Sequence, residues 1–98
     1  MTIEKTRNDG DFLVKVSGRL DTTTAPELER ELEDGLQGVT KLTIDFSDLE
    51  YISSAGLRVL LRAQRMMNNQ GEMIVRGVND IVKEIFEVTG FTDILTIE

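Results

Sequence analysis

The chain has 98 residues, of which 40% are hydrophobic and 30% are charged, the balance of one globular domain rather than of a disordered segment. Its net charge of −7 disfavours binding to nucleic acid or to an anionic membrane and favours a basic protein partner. Histidine and cysteine are absent, which excludes a Ser-His-Asp triad, a cysteine nucleophile, disulfides and the usual zinc sites. We therefore expect no enzymatic activity, no metal and no cofactor.

No segment has the pattern of a signal peptide, and no apolar run approaches the roughly 20 residues of a membrane span. These absences predict a cytoplasmic protein. The carboxylates of Asp45 and Asp48 are weak candidates for acid/base chemistry, because solvated acids are common near strand ends.

The first residues predict a β-hairpin that turns at Asn8-Asp9-Gly10, a strong hairpin signal. Its second strand should bury one face through the alternating residues Phe12, Val14 and Val16. Gly18 is expected to end this strand.

A helix should follow, because Thr24 and Glu27 have the spacing of a capping box and Pro26 falls in the first turn. Leucines then repeat on one face, and Gly35 or Gly38 marks the end of the helix. These leucines are Leu28, Leu32 and Leu36.

The rest of the chain alternates between strands and helices. The predicted elements are a strand over 41–46, a connection over 47–53, a helix from Ser54 to Asn68 or Asn69, a strand over 72–77, a helix capped by Asn79 or Asp80 and ended by Gly90, and a strand over 93–97. The order ββαβαβαβ indicates an α/β domain with a mixed, mostly parallel sheet, in which the N-terminal hairpin forms an antiparallel edge.

Two connections that follow strands, 18–24 and 47–56, are rich in hydroxyl side chains. Sites in open α/β sheets form at the carboxyl ends of strands, so Asp21 should lie close to Ser53 and Ser54 if the two strands are neighbours. Ser54 has the position of a helix N-cap, with its hydroxyl accepting from the backbone of Gly56 or Leu57. A phosphate on Ser54 would gain backbone donors and repel an acidic partner. Spacing alone leaves open whether these serines only cap a helix.

Four segments together resemble the STAS domain of bacterial anti-sigma factor antagonists. They are VSGRLDTTTAPEL, LTIDFSDLEYISSAGLRVLL, QGEMIVRGVN and FEVTGFTDIL, and they occur in the family's order over nearly the whole chain. The resemblance implies a single STAS domain over residues 1–98.

The resemblance also implies a function. Antagonists of this family bind, when unphosphorylated, an anti-sigma factor that is also a serine kinase, and so release the sigma factor. The kinase phosphorylates a serine of the antagonist, which breaks the complex, and a phosphatase of the PP2C type reverses the modification. An alternative is a STAS signalling or scaffold module of a partner-switching pathway that has a non-sigma output or senses a small ligand.

The family motif Asp-Ser-(Ser/Thr)-Gly-Leu aligns with Ser53-Ser54-Ala55-Gly56-Leu57, so the resemblance implies phosphorylation at Ser54, with Ser53 as the alternative. This chain lacks the aspartate and the second hydroxyl of that motif. The family's Gly-x-Leu-Asp loop matches residues 18–21, which implies a role for Asp21 in partner binding. The expected partner-binding residues are Asp21, Thr22, Thr23, Ser53, Ser54, Gly56 and Arg58.

Overall fold

In the computed structural model, which describes residues 1–98, strands and helices alternate after an N-terminal hairpin. The strands are β1 (Thr2–Asn8), β2 (Asp11–Leu20), β3 (Lys41–Asp45), β4 (Leu49–Ile52) and β5 (Glu72–Arg76). The α-helices are α1 (Ala25–Gly35), α2 (Ser54–Asn68) and α3 (Asp80–Thr89), and a 3₁₀ turn covers Phe91–Asp93. None of the helices has the length and apolar character that a membrane crossing needs.

The five strands form one mixed sheet. β1 pairs with β2 antiparallel, from Thr2 opposite Ser17 to Asn8 opposite Asp11. β2 pairs with β3, and β3 with β5, in parallel. The predicted fold class is therefore confirmed: an α/β domain with a mostly parallel sheet and an antiparallel hairpin edge.

The prediction that Gly18 ends β2 is wrong. Gly18 has a φ of 87°, and the register between β2 and β4 shifts between Gly18 and Arg19. A positive φ costs glycine little, so the strand bends here and continues to Leu20. Its last residues pair with β4, a strand that lies in the segment predicted as a connection. β2 thus pairs with β3 through its first half and with β4 through its end.

The strand predicted over 93–97 is also wrong in extent, because only Ile97 pairs with β5, as an isolated bridge to Val75. Gly90 ends α3 in the left-handed conformation, as predicted, and the 3₁₀ turn follows directly. Leu95 donates its backbone N–H to the carbonyl of Phe91 at 2.8 Å, so local bonds replace the ladder of a strand.

The core is a cluster of apolar side chains from the sheet and all three helices. The apolar positions predicted on β2, α1 and β3 are all buried, which confirms their face assignment. They are Phe12, Val14, Val16, Leu28, Leu32, Leu36, Leu42, Ile44 and Phe46. The predicted N-cap of α3 is confirmed as Asn79, whose side chain accepts from the backbone N–H of Val82 at 2.8 Å.

Candidate functional site

The carboxyl ends of β2 and β4 meet at one edge of the sheet. The backbone N–H of Ser53 donates to the carbonyl of Leu20 at 2.9 Å, and Leu20 is the register partner of Ile52. Asp21 and Ser53 therefore follow neighbouring strands, although Ser53 follows β4 and not the strand predicted over 41–46. This edge is called the serine edge below and comprises residues 19–24 and 51–58.

A network of side-chain hydrogen bonds fixes the loop after β2. Asp21 Oδ1 accepts from the backbone N–H groups of Thr23 at 3.0 Å and Thr24 at 3.2 Å. The hydroxyl of Thr24 donates to the carbonyl of Arg19 at 2.8 Å and accepts from the N–H of Asp21 at 2.9 Å. The predicted capping box of Thr24 with Glu27 is wrong, because the Thr24 hydroxyl bonds to Arg19 and Asp21 within this loop and makes no cap bond to α1.

The charge of Asp21 is stabilised by the same loop. Hydrogen bonds from the backbone N–H of Thr24, the larger effect, and from that of Thr23 hold the pKa of Asp21 below its usual range, although desolvation acts in the opposite direction. Asp21 is therefore ionised at neutral pH. The side chains of Thr22 and Thr23 are exposed beside it.

The two serines at the start of α2 differ in access. Ser53 is the N-cap residue, with extended backbone at φ −97° and ψ 176°, and Ser54 is the first helical residue. The prediction that the Ser54 hydroxyl caps the helix is wrong, because Ser53 occupies the N-cap position and its side chain makes no cap bond. The Oγ atom of Ser53 is buried and has no hydrogen-bond partner. Ser54, by contrast, is exposed to solvent.

Gly56 lies beneath the serine edge rather than on its surface. A Cβ atom at this position would lie 2.7 Å from Cγ1 of Ile52 and 2.8 Å from Cγ of Leu20. Only glycine therefore lets the first turn of α2 approach the ends of β2 and β4 so closely. Gly56 is buried, so its predicted part in partner binding can only be indirect.

Arg58 lies one turn into α2 and is exposed. Together with Thr22, Pro26 and Ala55 it borders a cavity of about 320 Å³ between α1 and α2. The basic residues of α2 are Arg58, Arg62 and Arg65, and the helix contains no acidic residue. α2 therefore contributes only positive side-chain charge near Ser54, whereas the ionised Asp21 lies at the same edge.

Sequence reasoning missed two residues of this edge, Arg19 and Tyr51. They are register partners on β2 and β4, and the guanidinium carbon of Arg19 lies 4.5 Å from the centroid of the Tyr51 ring. Such a cation–π contact holds the exposed arginine in place. Their pairing depends on β4 and on the shift at Gly18, neither of which the local pattern indicated.

Fold and site together define a small α/β module with an accessible serine at the start of a helix. Residues 2–98 match the STAS domain family, and the chain belongs to this family.

Particular relatives refine this assignment. An anti-sigma-B factor antagonist of Staphylococcus aureus is 34% identical over 97 residues, which cover 97% of this chain and 90% of that protein. The crystal structure of an anti-sigma factor antagonist from Mycobacterium paratuberculosis is similar with a TM-score of 0.88 and 26% identity, over 98% of this chain and 83% of that one. The structure of phosphorylated SpoIIAA of Bacillus shares the fold, with a TM-score of 0.77 and 15% identity over 99% of this chain and 91% of that one.

Proposed function

We propose that this chain is an anti-sigma factor antagonist controlled by phosphorylation. In its unphosphorylated form it binds an anti-sigma factor that is also a serine kinase, and the sigma factor is released. The observation that carries the proposal is the accessible hydroxyl of Ser54 at the serine edge. The 34% identity to an anti-sigma-B factor antagonist supports the same function.

Ser54 is the better phosphoacceptor because phosphoryl transfer requires the attacking hydroxyl to line up with the γ-phosphate of ATP. The exposed side chain of Ser54 is accessible to a kinase without any change of fold. The Oγ atom of Ser53 is buried and would first have to become accessible before it could attack.

The partner surface of this proposal is the exposed part of the serine edge. Its exposed residues are Thr22, Thr23, Ser54 and Arg58, and the half-buried residues Asp21 and Ser53 lie beside them. Gly56 is buried and allows α2 to pack closely on β2 and β4. A phosphate on Ser54 adds about −1.5 to −2 charges to the middle of this surface. Losing contacts worth about 3 kcal/mol would weaken binding on the order of a hundredfold, enough to reverse partner choice. A phosphatase of the PP2C type then restores the binding form.

The test uses the cognate anti-sigma kinase, ATP and mass spectrometry. We expect one phosphate on Ser54, none on Ser54→Ala, and full modification of the matched control Ser53→Ala. Calorimetry should show that Ser54→Ala keeps its affinity for the kinase and that Ser54→Asp binds on the order of a hundredfold more weakly. Phosphate on Ser53 or on a threonine of the loop after β2, with Ser54 unmodified, would contradict the assignment.

A further inference from the structure

Arg58 stands one helical turn after Ser54, on the same face of α2. Residues four apart on a helix are neighbours, and a negative group placed N-terminal to a positive one is the favourable orientation. Long side chains on a helix also lie over the turn that precedes them. An anionic group added to Ser54 would therefore lie within reach of the Arg58 side chain.

Arg58 is also free to accept a new anionic partner. Arg62, the next arginine of α2, pairs with Glu29 at 3.0 Å, whereas Arg58 forms none of the ion pairs or side-chain hydrogen bonds of the structure. Glu29 is the only acidic residue that borders the same cavity, and it is engaged by Arg62. No carboxylate of α2 itself competes for Arg58, because the helix has none.

We propose that Arg58 is an intramolecular phosphate-binding residue, which pairs with the phosphomonoester of phosphorylated Ser54. This inference rests on Ser54 being the phosphoacceptor of the proposed function. A guanidinium offers two parallel N–H donors to phosphate oxygens, and such charge-assisted pairs are among the stronger hydrogen bonds. Phosphorylation then changes the serine edge twice, since it adds an anion and withdraws the cation that Arg58 presents to a partner.

The experiment installs phosphoserine at position 54 during protein synthesis, so that no kinase is needed. Phosphorus NMR then follows the second ionisation of the phosphate, whose pKa is ordinarily about 6. Pairing with Arg58 favours the dianion, so the pKa should be lower in the parent than in Arg58→Gln by about 0.3 units or more. Arg58→Lys keeps the charge without the two-pronged donor and should fall between them.

Arg65→Gln is the matched control, because it removes the same charge from the same helix face. Arg65 lies about 16 Å from Ser54 along the helix axis, beyond the Debye length of about 8 Å at physiological ionic strength, so the phosphate pKa should stay at the parent value. Arg58 is exposed, and unphosphorylated Arg58→Gln should unfold at the parent's urea midpoint.

An unchanged pKa in Arg58→Gln, or an equal rise in Arg65→Gln, would overturn the pairing. Neither result bears on whether the kinase modifies Ser54, which mass spectrometry decides separately. Conversely, a kinase that ignores Ser54 would refute the proposed function and leave the NMR comparison valid.

Discussion

Replacing Gly56 with alanine should destabilise the protein, although alanine is the better helix former. The gain in helix propensity is at most about 1 kcal/mol. The new methyl group would lie 2.7 Å from Ile52 and 2.8 Å from Leu20, closer than real Cβ contacts, and these neighbours are only 1% and 0% exposed. Overpacking of this kind costs about 1–3 kcal/mol. We expect the free energy of unfolding, measured with urea, to fall by about 1 kcal/mol.

A double-mutant cycle with Ile52→Ala tests the cause. Ile52→Ala removes one of the two side chains that the new methyl group would meet, so Gly56→Ala should be less harmful in that background. Gly56→Ala should also lift the first turn of α2 and so weaken kinase binding, although Ser54 itself is unchanged. A Gly56→Ala variant as stable as the parent, or additive energies in the cycle, would refute the packing argument.

Leu60→Ala should lower the free energy of unfolding by about 2–5 kcal/mol, since Leu60 is fully buried in the core; a loss under about 0.5 kcal/mol would contradict its placement. Thr24→Val should lower the free energy of unfolding by about 1–3 kcal/mol, because it leaves the carbonyl of Arg19 without the donor from Thr24. The matched change Glu27→Ala should lower it by less than about 0.5 kcal/mol, since Thr24 and Glu27 form no capping box. Equal losses in the two variants would indicate a capping box after all. The lowered pKa of Asp21 contributes stability that is fully present above about pH 4, the range of the unfolded chain, and is lost as the pH falls through the folded value. The urea midpoint of the parent should fall as the pH drops below about 4, and in Asp21→Ala it should fall less steeply with pH. An equally steep fall in Asp21→Ala would refute the role of this carboxylate.

Features of the fold that depend on near neighbours in the chain could be predicted from the sequence. The cap of α3 joins Asn79 to Val82, three residues away, and the buried face of β2 follows from simple alternation. The wrong predictions concern elements whose structure depends on segments distant in the chain. β4 forms because the end of β2 offers it a parallel partner, and the last residues pack individually rather than as a strand.

The candidate site shows the same division. The rule that sites form at strand ends predicts that Asp21 and Ser53 lie near each other. In the structure the backbone of Ser53 bonds to Leu20, the residue before Asp21. The capping-box pattern predicts the wrong partner for Thr24, because its hydroxyl donates to the carbonyl of Arg19 instead of capping α1. The contact of Arg19 with Tyr51 required a strand register that no local pattern contains.

The position of β4 bears on how the protein opens. β4 pairs only with β2, whereas β3 has a partner along both edges, so detaching β4 breaks fewer ladder bonds. Such partial opening costs less than global unfolding, and the bend at Gly18 confines it, since the first half of β2 keeps its bonds to β3. Backbone amides of β4 should accordingly exchange their hydrogens with solvent sooner than those of β3. The serine that the sequence singles out thus follows a strand that can loosen while β2, β3 and β5 keep their pairing, at the cost of exposing Leu49 and Ile52.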